Sequence, residues 1–254
     1  MEPDIKIYGI HERDFLINSL KNFLDLKNED IVYDDRTEGG LPLYTMEKAL
    51  KQPFNKNITH RCVLPDDMIC CNEFKHVIQK IVNAHPNAII GLFPYNFFRN
   101  EDKYYKLSSP YIKNNELICG NGIIFPRFTI DSIFNLLHNM YKEKIYLLRD
   151  EALLMTAFRI LHYQVINTIP SPVQHIGDDY GSFLPYKVDK NRKTGFFKED
   201  CLINIDWDNK EILDFPGYDY SFKGRIRDYI LSGKGIFFDE NFYPRKQAIL
   251  NSEK

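Results

Sequence analysis

The chain has 254 residues, of which 44% are hydrophobic and 27% are charged, values ordinary for a soluble globular protein with one substantial α/β core. A formal net charge of -2 gives no overall attraction to nucleic acid, so such binding would need a local basic patch. Because no apolar segment approaches the length of a membrane span and residues 1–6 do not resemble a signal peptide, we expect a cytoplasmic protein without a membrane span.

The cysteines and aromatic residues further narrow the kinds of protein and binding site that the composition allows. Five cysteines, an odd number without paired Cys-x-x-Cys spacing, predict reduced thiols, several of them buried, rather than a disulfide framework or a zinc site. The 16 Tyr and 19 Phe serve a core, and they also suit surfaces that stack on sugars or bases.

The first part of the chain alternates strands with helices. Apolar periodicity predicts strands over residues 5–10, 30–33, 62–64 and 88–93, and helices over residues 14–26, 45–50 and 73–83. Such alternation is typical of βαβ units that build a largely parallel sheet. We therefore predict an α/β fold.

The pattern loosens after residue 94. It predicts loops with a short strand over 95–115, strands over 116–125, 145–148 and 164–168 (the last one in the sheet), and helices over 126–141 and 150–161. The composition changes after about residue 186, where a charged turn over residues 187–193 begins a predicted C-terminal appendage. That appendage, residues 187–254, holds the lone Trp207 and a basic cluster over residues 223–227.

The most informative segment is a short apolar run that ends in two adjacent acids, Asp66 and Asp67. A buried strand that stops in paired acids brings negative charge to a sheet edge, where open α/β folds bind ligands. Two adjacent ionised carboxylates repel each other unless a cation or a proton lies between them, and Mg²⁺ or Mn²⁺ completed by phosphate oxygens is the usual solution. The alternative is a solvated turn or helix N-cap, where Asp is also common.

Two segments and their order resemble glycosyltransferases of the GT-A type. Residues 59–67, Thr-His-Arg-Cys-Val-Leu-Pro-Asp-Asp, are similar to the strand and DxD-like acidic turn of that fold. Residues 170–177, Pro-Ser-Pro-Val-Gln-His-Ile-Gly, are similar to a late Pro-Ser-x-Val-x-His segment of small bacterial and phage members. The resemblance spans residues 4–183 and implies a Rossmann-like, mostly parallel sheet flanked by helices. It also implies a nucleotide-sugar-binding catalytic domain over residues 1–186, with the appendage as a possible acceptor-binding region.

The resemblance also implies a metal site. The last acid of the motif, Asp67, matches the direct metal ligand, and Asp66 matches the residue that contacts the ribose or the metal's waters. A later histidine often supplies another ligand, which points to His175; the alternative is an ordinary half-buried loop histidine. Pro65 departs from the family pattern, which often has a polar residue there, and no further acid completes an Asp-x-Asp at Asp66.

Other positions match nucleotide contacts of the family. Arg13, just past the first strand, matches a residue that commonly contacts the nucleotide, and Asp34 or Asp35 matches the acid that reads the base or ribose. Thr45 and Arg61 are further candidates for donor binding. For the charged residues at element ends, the alternative is an ordinary charge at a turn or helix start.

A catalytic acid is implied at the start of the helix over residues 150–161. Inverting members often place their base at this point, which makes Asp150 and Glu151 candidates for removing the acceptor's proton. The alternative is simple complementation of the helix dipole. In a retaining enzyme the same acid would instead hold the acceptor or the sugar hydroxyls.

The resemblance thus predicts transfer of a sugar from a nucleoside diphosphate sugar, UDP-glucose foremost, to a hydroxyl group with the help of Mn²⁺ or Mg²⁺. Two acceptors are compatible with it: a hydroxymethylated pyrimidine in phage DNA, modified in the infected host cytoplasm, and a cell-surface glycan. A non-catalytic sugar-nucleotide-binding module and a nucleotidyltransferase are alternatives from other classes, although residues 9–13 are a poor phosphate loop for the latter. The sugar, the stereochemical outcome and the oligomeric state stay open.

Overall fold

The computed structural model describes residues 2–35, 42–94, 107–113, 122–142, 150–177, 197–202 and 204–214. The strands are β1 (Glu2–Gly9), β2 (Ile31–Tyr33), β3 (Ile58–Pro65), β4 (Met68–Cys70), β5 (Ile89–Gly91), β6 (Tyr111–Lys113), β7 (Ile123–Pro126), β8 (Val165–Thr168) and β9 (Val173–His175). The α-helices are α1 (Asp14–Phe23), α2 (Pro42–Leu50), α3 (Phe74–Ala84), α4 (Ile130–Lys142) and α5 (Asp150–Ile160).

The main sheet has the strand order β2-β1-β3-β7-β5-β8-β6. Strand β1 is parallel to both β2 and β3, and β8 is parallel to β5, whereas β7 and β6 run antiparallel to their neighbours. The predicted α/β class with a mixed, mostly parallel sheet is therefore confirmed. Because β1, β2, β3 and β8 point the same way, the segments that follow them leave from one edge of the sheet.

Helices cover both faces of this sheet. Side chains of α1 and α3 pack with Ile5, Ile7 and Leu64 on one face, and side chains of α2, α4 and α5 pack with Val63 and Phe125 on the other. Successive strand residues point to opposite faces, so Val63 and Leu64 belong to different cores. The buried strands read as continuous apolar runs for this reason.

Two details differ from the sequence predictions. Pro126 ends β7 instead of opening a helix; a 3₁₀ turn over Arg127–Thr129 follows, closed by the Thr129 hydroxyl donating to the Pro126 carbonyl at 2.7 Å. The strand over residues 164–168 is also not the last, because β9 follows and pairs with β4 in a separate two-stranded sheet. Each of these strands has three residues, too few to show a period.

The described part of the C-terminal region packs against the main core. Trp207 and Cys201 are buried with the residues of α3, and the Tyr111 hydroxyl donates to the Trp207 carbonyl at 2.6 Å. The domain boundary near residue 186 stays a prediction. The charged turn over residues 187–193, the basic cluster over residues 223–227 and the predicted strand over residues 145–148 lie outside the described residues.

The lengths of the helices and the burial of the cysteines bear on two expectations from the sequence. In the described ranges, every helix is too short or too polar to cross a lipid bilayer. Four cysteines are buried free thiols, as the sequence predicted: Cys62, Cys70, Cys71 and Cys201. The fifth cysteine, Cys119, lies outside the described residues.

Candidate functional site

Four charged or titratable side chains meet at the edge where the parallel strands end. Arg13 follows β1, Asp66 and Asp67 follow β3, and His175 ends β9, which the chain reaches after β8. We call these four residues the edge cluster. The sequence predicted a shared site for them, and the structure brings them into direct contact.

Asp66 is held by the segment that follows β1. Its Oδ2 accepts a hydrogen bond from the backbone N–H of Ile10 at 3.0 Å, and its Oδ1 accepts one from Arg13 Nη1 at 2.9 Å. Burial, followed by the negative charge of Asp67, raises the pKa of Asp66 above its ordinary value, although Arg13 and the Ile10 N–H act in the opposite direction. The carboxylate is thus fixed between a charged and a backbone donor.

Asp67 contacts the two basic residues of the cluster, Arg13 and His175. Its Oδ2 lies 2.8 Å from Arg13 Nη1 and 3.2 Å from His175 Nε2. Burial acts to raise the pKa of Asp67, but the hydrogen bond and charge of His175, together with the charge of Arg13, lower it below its ordinary value. The arrangement therefore favours the ionised carboxylate.

The small sheet fixes the position of His175. Met68, the first residue of β4, pairs with His175, and the Ile176 N–H donates to the Asp67 carbonyl at 2.8 Å. The imidazole is only 2% exposed, and its Nδ1 is buried without a hydrogen-bond partner among the described residues. The predicted proximity of His175 to Asp67 is found, and its role as a ligand stays a prediction.

Arg13 changes the argument made from the two adjacent acids. A single nitrogen, Nη1, donates to Asp66 and Asp67 at 2.9 and 2.8 Å, so the cation between the carboxylates is a side chain of the same chain. The sequence predicted a cation or a proton between the acids, with a divalent metal as the usual one; the guanidinium of Arg13 is such a cation, and metal binding stays a prediction. Burial acts to lower the pKa of Arg13, but the charges of Asp67 and Asp66 raise it, so the guanidinium stays charged.

Two glycines leave the space that the acids occupy. A Cβ on Gly9 would lie 2.3 Å from Asp66 Oδ2, and a Cβ on Gly177 would lie 2.3 Å from Asp67 Oδ2. Real Cβ atoms do not approach so closely, so both positions favour glycine on steric grounds. Neither glycine was predicted to belong to the site, although Gly9 ends β1 and Gly177 lies two residues after β9.

Asp34 and Asp35, the predicted contacts for the base or ribose, lie just after β2. The Asp34 N–H donates to the Gly9 carbonyl at 2.8 Å, whereas Asp35 pairs with Lys48 at 3.1 Å, and that hydrogen bond lowers the pKa of Asp35.

The rings of His11 and Tyr33 form an aromatic surface near the end of β2. They stack with centroids 3.9 Å apart and planes 10° apart. This stack was not predicted, because it joins His11, in the 3₁₀ turn after β1, to Tyr33 at the end of β2.

Two weaker candidates occupy different environments. Thr45 lies in α2, and its buried hydroxyl has no hydrogen-bond partner among the described residues, so a ligand contact stays a prediction.

The prediction that Arg61 contacts the donor requires a correction. Its side chain has 0% exposure and donates to Asp4, to backbone carbonyls at the end of α2 and to carbonyls just after that helix. Arg61 therefore joins the sheet to α2 instead of facing a ligand.

The predicted helix with the two catalytic candidates is confirmed, since α5 begins at Asp150 with Glu151 in its first turn. Their catalytic roles stay predictions. In the part of the chain that the structure describes, no group of three or more His, Cys, Asp and Glu side chains is arranged to hold a metal ion. The sequence matches no model of a known protein family, and a comparison with curated proteins finds no match either.

Proposed function

We propose that the protein is a metal-dependent glycosyltransferase that moves a sugar from a nucleoside diphosphate sugar, foremost a UDP-sugar, to a hydroxyl group. One observation carries the proposal: Asp67 and His175, from segments far apart in the chain, lie 3.2 Å apart where parallel strands end. That edge is where open α/β sheets bind their ligands. The GT-A resemblance of residues 59–67 and 170–177 predicted the same pair.

The chemistry of the edge cluster suits a divalent cation. Carboxylate and imidazole groups are ligands that Mn²⁺ accepts, and Mg²⁺ and Mn²⁺ are often held by few protein ligands together with substrate phosphates. Asp67 and His175 are close enough to bind one ion, and the donor's diphosphate and water would complete its shell. When bound, the metal neutralises charge on the departing nucleoside diphosphate.

The surrounding residues have assignable roles in holding the donor. Arg13 presents a guanidinium suited to phosphate oxygens. Asp66, held by the Ile10 N–H and Arg13, is the candidate for accepting hydrogen bonds from a ribose or from metal-bound water. Asp34 and Asp35 at the end of β2 and the hydroxyl of Thr45 are the candidates for nucleoside contacts. The stacked rings of His11 and Tyr33 provide an aromatic surface beside them.

Transfer to the acceptor requires loss of a hydroxyl proton. In an inverting reaction Asp150 or Glu151, at the start of α5, accepts that proton as the acceptor oxygen attacks the anomeric carbon. In a retaining reaction the same acid holds the acceptor or the sugar. A hydroxymethylated pyrimidine in DNA is the preferred acceptor and a cell-surface glycan is the alternative, both from the family resemblance.

The test is an assay of donor cleavage and transfer. The full chain is incubated with UDP-glucose, other nucleoside diphosphate sugars and Mn²⁺, and released UDP is measured with and without EDTA. DNA containing 5-hydroxymethyl pyrimidines and a set of glycans are then supplied as acceptors, and the products are examined by mass spectrometry. Donor binding without release of nucleoside diphosphate, under any of these conditions, would support the non-catalytic module instead.

A further inference from the structure

Arg13 occupies a central position in the edge cluster. Its Nη1 is shared between Asp66 Oδ1 and Asp67 Oδ2, and the side chain is 11% exposed. One positive charge therefore lies between two negative ones. A guanidinium brings one positive charge to the two acids, whereas a divalent cation in its place would bring two.

Arg13 and a divalent cation would compete for the same oxygen. Asp67 Oδ2 lies 2.8 Å from Arg13 Nη1 and 3.2 Å from His175 Nε2. A metal held by Asp67 and His175 would therefore bind to the same oxygen that now accepts from Arg13. Ligand oxygens lie about 2.0–2.2 Å from Mg²⁺ or Mn²⁺. A guanidinium nitrogen on the same oxygen would lie within a few ångströms of that ion, where like charges repel strongly.

We propose that Arg13 is a displaceable internal cation: it holds Asp66 and Asp67 together before ligands bind, and it leaves them when a divalent cation and the donor's diphosphate bind. This inference rests on the proposed function. The released guanidinium then binds the diphosphate, because planar N–H pairs match phosphate oxygens. Arg13 thereby couples metal binding to donor binding.

The remaining contacts allow the exchange without disorder of the acids. Asp66 keeps the hydrogen bond from the Ile10 N–H, at 3.0 Å, when Arg13 moves away. Asp67 keeps its contact with His175, and its backbone carbonyl still accepts from the Ile176 N–H at 2.8 Å. Arg13 is the one member of the cluster that lies in a short 3₁₀ turn, over His11–Arg13, instead of in or directly beside a β-strand.

Binding of the metal and binding of the nucleotide should therefore strengthen each other. In the native protein, Mn²⁺ alone must displace Arg13, whereas Mn²⁺ with UDP gives the guanidinium a new partner. UDP should therefore strengthen Mn²⁺ binding, and by reciprocity Mn²⁺ should strengthen UDP binding by the same factor. An Arg13→Gln variant has no internal cation to displace and no guanidinium to transfer.

The experiment measures Mn²⁺ binding by electron paramagnetic resonance and calorimetry, with and without UDP, for the native chain, Arg13→Gln and Arg13→Lys. We expect Arg13→Gln to bind Mn²⁺ alone about tenfold more tightly. The strengthening by UDP should be smaller in this variant than in the native chain, because only direct ligation by the diphosphate remains, and Arg13→Lys should lie between the two. Arg127→Gln, a substitution of an exposed arginine in the turn before α4, is the control and should match the native chain.

The outcomes separate this inference from the proposed function. If the native chain binds Mn²⁺ in the presence of UDP but Arg13→Gln binds Mn²⁺ alone no more tightly, the displaceable cation is overturned and the glycosyltransferase proposal stands. If neither protein binds Mn²⁺ with or without UDP, both are overturned. Melting curves provide a second readout: Mn²⁺ alone should raise the melting temperature of Arg13→Gln more than that of the native chain.

Discussion

Oδ2 of Asp67 and Nε2 of His175 lie 3.2 Å apart, and the segments that carry them are joined by the pairing of β4 with β9. Met68 pairs with His175 directly, so the residue after Asp67 and the histidine share one rung of a two-stranded ladder. The pairing fixes the two side chains relative to each other before any ligand is bound. Such prior placement spares these two side chains a rearrangement when a ligand binds.

Asp67→Asn tests the proposed metal ligand while keeping the side chain's shape. We expect metal-dependent release of UDP from UDP-glucose to fall at least about a hundredfold, since charge stabilisation by a bound metal is worth several kcal/mol. Steady-state kinetics with varied Mn²⁺ measure the effect, and circular dichroism reports the fold. Asp131→Asn, at an exposed acid in the first turn of α4, is the matched control. A variant that retained native metal-dependent turnover would remove Asp67 from the site.

Gly9→Ala tests whether the narrow space at Asp66 is needed. The added Cβ would lie 2.3 Å from Asp66 Oδ2, so the carboxylate must leave the Ile10 N–H. Displacement of a positioned group by about 1 Å costs on the order of a hundredfold in rate, and we expect a loss of that size in kcat/KM.

Gly122→Ala is the comparison for Gly9→Ala. At Gly122, with φ of +84°, a Cβ would meet side chains at 3.4 Å or more, none of them an acid of the edge cluster. The alanine is strained there by about 1–2 kcal/mol, so the variant should lose stability and keep its kcat/KM. Equal loss of activity in both variants would show that general destabilisation, not the position of Asp66, accounts for the effect of Gly9→Ala.

Arg61→Met tests the corrected role of Arg61. The substitution removes the fully buried guanidinium, leaves Asp4 without its partner and exposes backbone carbonyls of Leu50 and Gln52 to an apolar side chain. Breaking such a pair costs about 3–5 kcal/mol of unfolding free energy. Urea denaturation measures the change, and Lys51→Met, which removes an i,i+4 pair with Glu47, should cost less than about 1 kcal/mol.

The ion pair of buried Lys6 and half-buried Asp30 predicts part of the acid dependence of stability. Burial acts to raise the pKa of Asp30, but the hydrogen bond from Lys6, at 2.6 Å, helps to lower it below the ordinary value. A carboxylate whose pKa is depressed in the folded protein stabilises the fold fully at pH values above the pKa that it has in the unfolded chain. That stabilisation is lost as the pH falls through the pKa that it has in the folded protein.

Asp30→Asn should therefore reduce the free energy of unfolding at neutral pH, with a difference that shrinks below about pH 4. Urea titrations between pH 2 and pH 7 measure it, and the same titrations in a Lys6→Met background supply the control. In that background the dependence of the difference on pH should be smaller, because only the N–H and the charge of Lys27 still favour the ionised form. A difference that grew toward low pH would have the wrong sign for this pair.

Trp207 reports whether the C-terminal region folds with the sheet. It is the only tryptophan, it is buried with the residues of α3, and its Nε1–H donates to the Cys201 carbonyl at 2.6 Å. We expect its fluorescence and the far-ultraviolet circular dichroism of the chain to change at one urea concentration. An earlier fluorescence transition would mean that residues 197–214 detach before the sheet unfolds.

Much of the fold was predictable because periodicity is local. The alternation of strands and helices up to residue 93, the helix that begins at Asp150 and the strand that leads into Asp66 all follow from apolar spacing within single segments. The three-residue strands β4 and β9 were not predictable in this way. Their pairing depends on contacts between distant segments, and neither is long enough to show a period.

The same division holds for the site. The sequence by itself determined that two acids end a buried strand, and the order of its motifs pointed to Arg13 and His175 as their companions. Only the tertiary structure decided that Arg13 is the cation between the acids, that Arg61 belongs to the core, and that Gly9 and Gly177 leave room for the carboxylates. The reason is physical: residue type fixes what a side chain is able to bind, whereas the distances that select its partner arise only when the strands assemble.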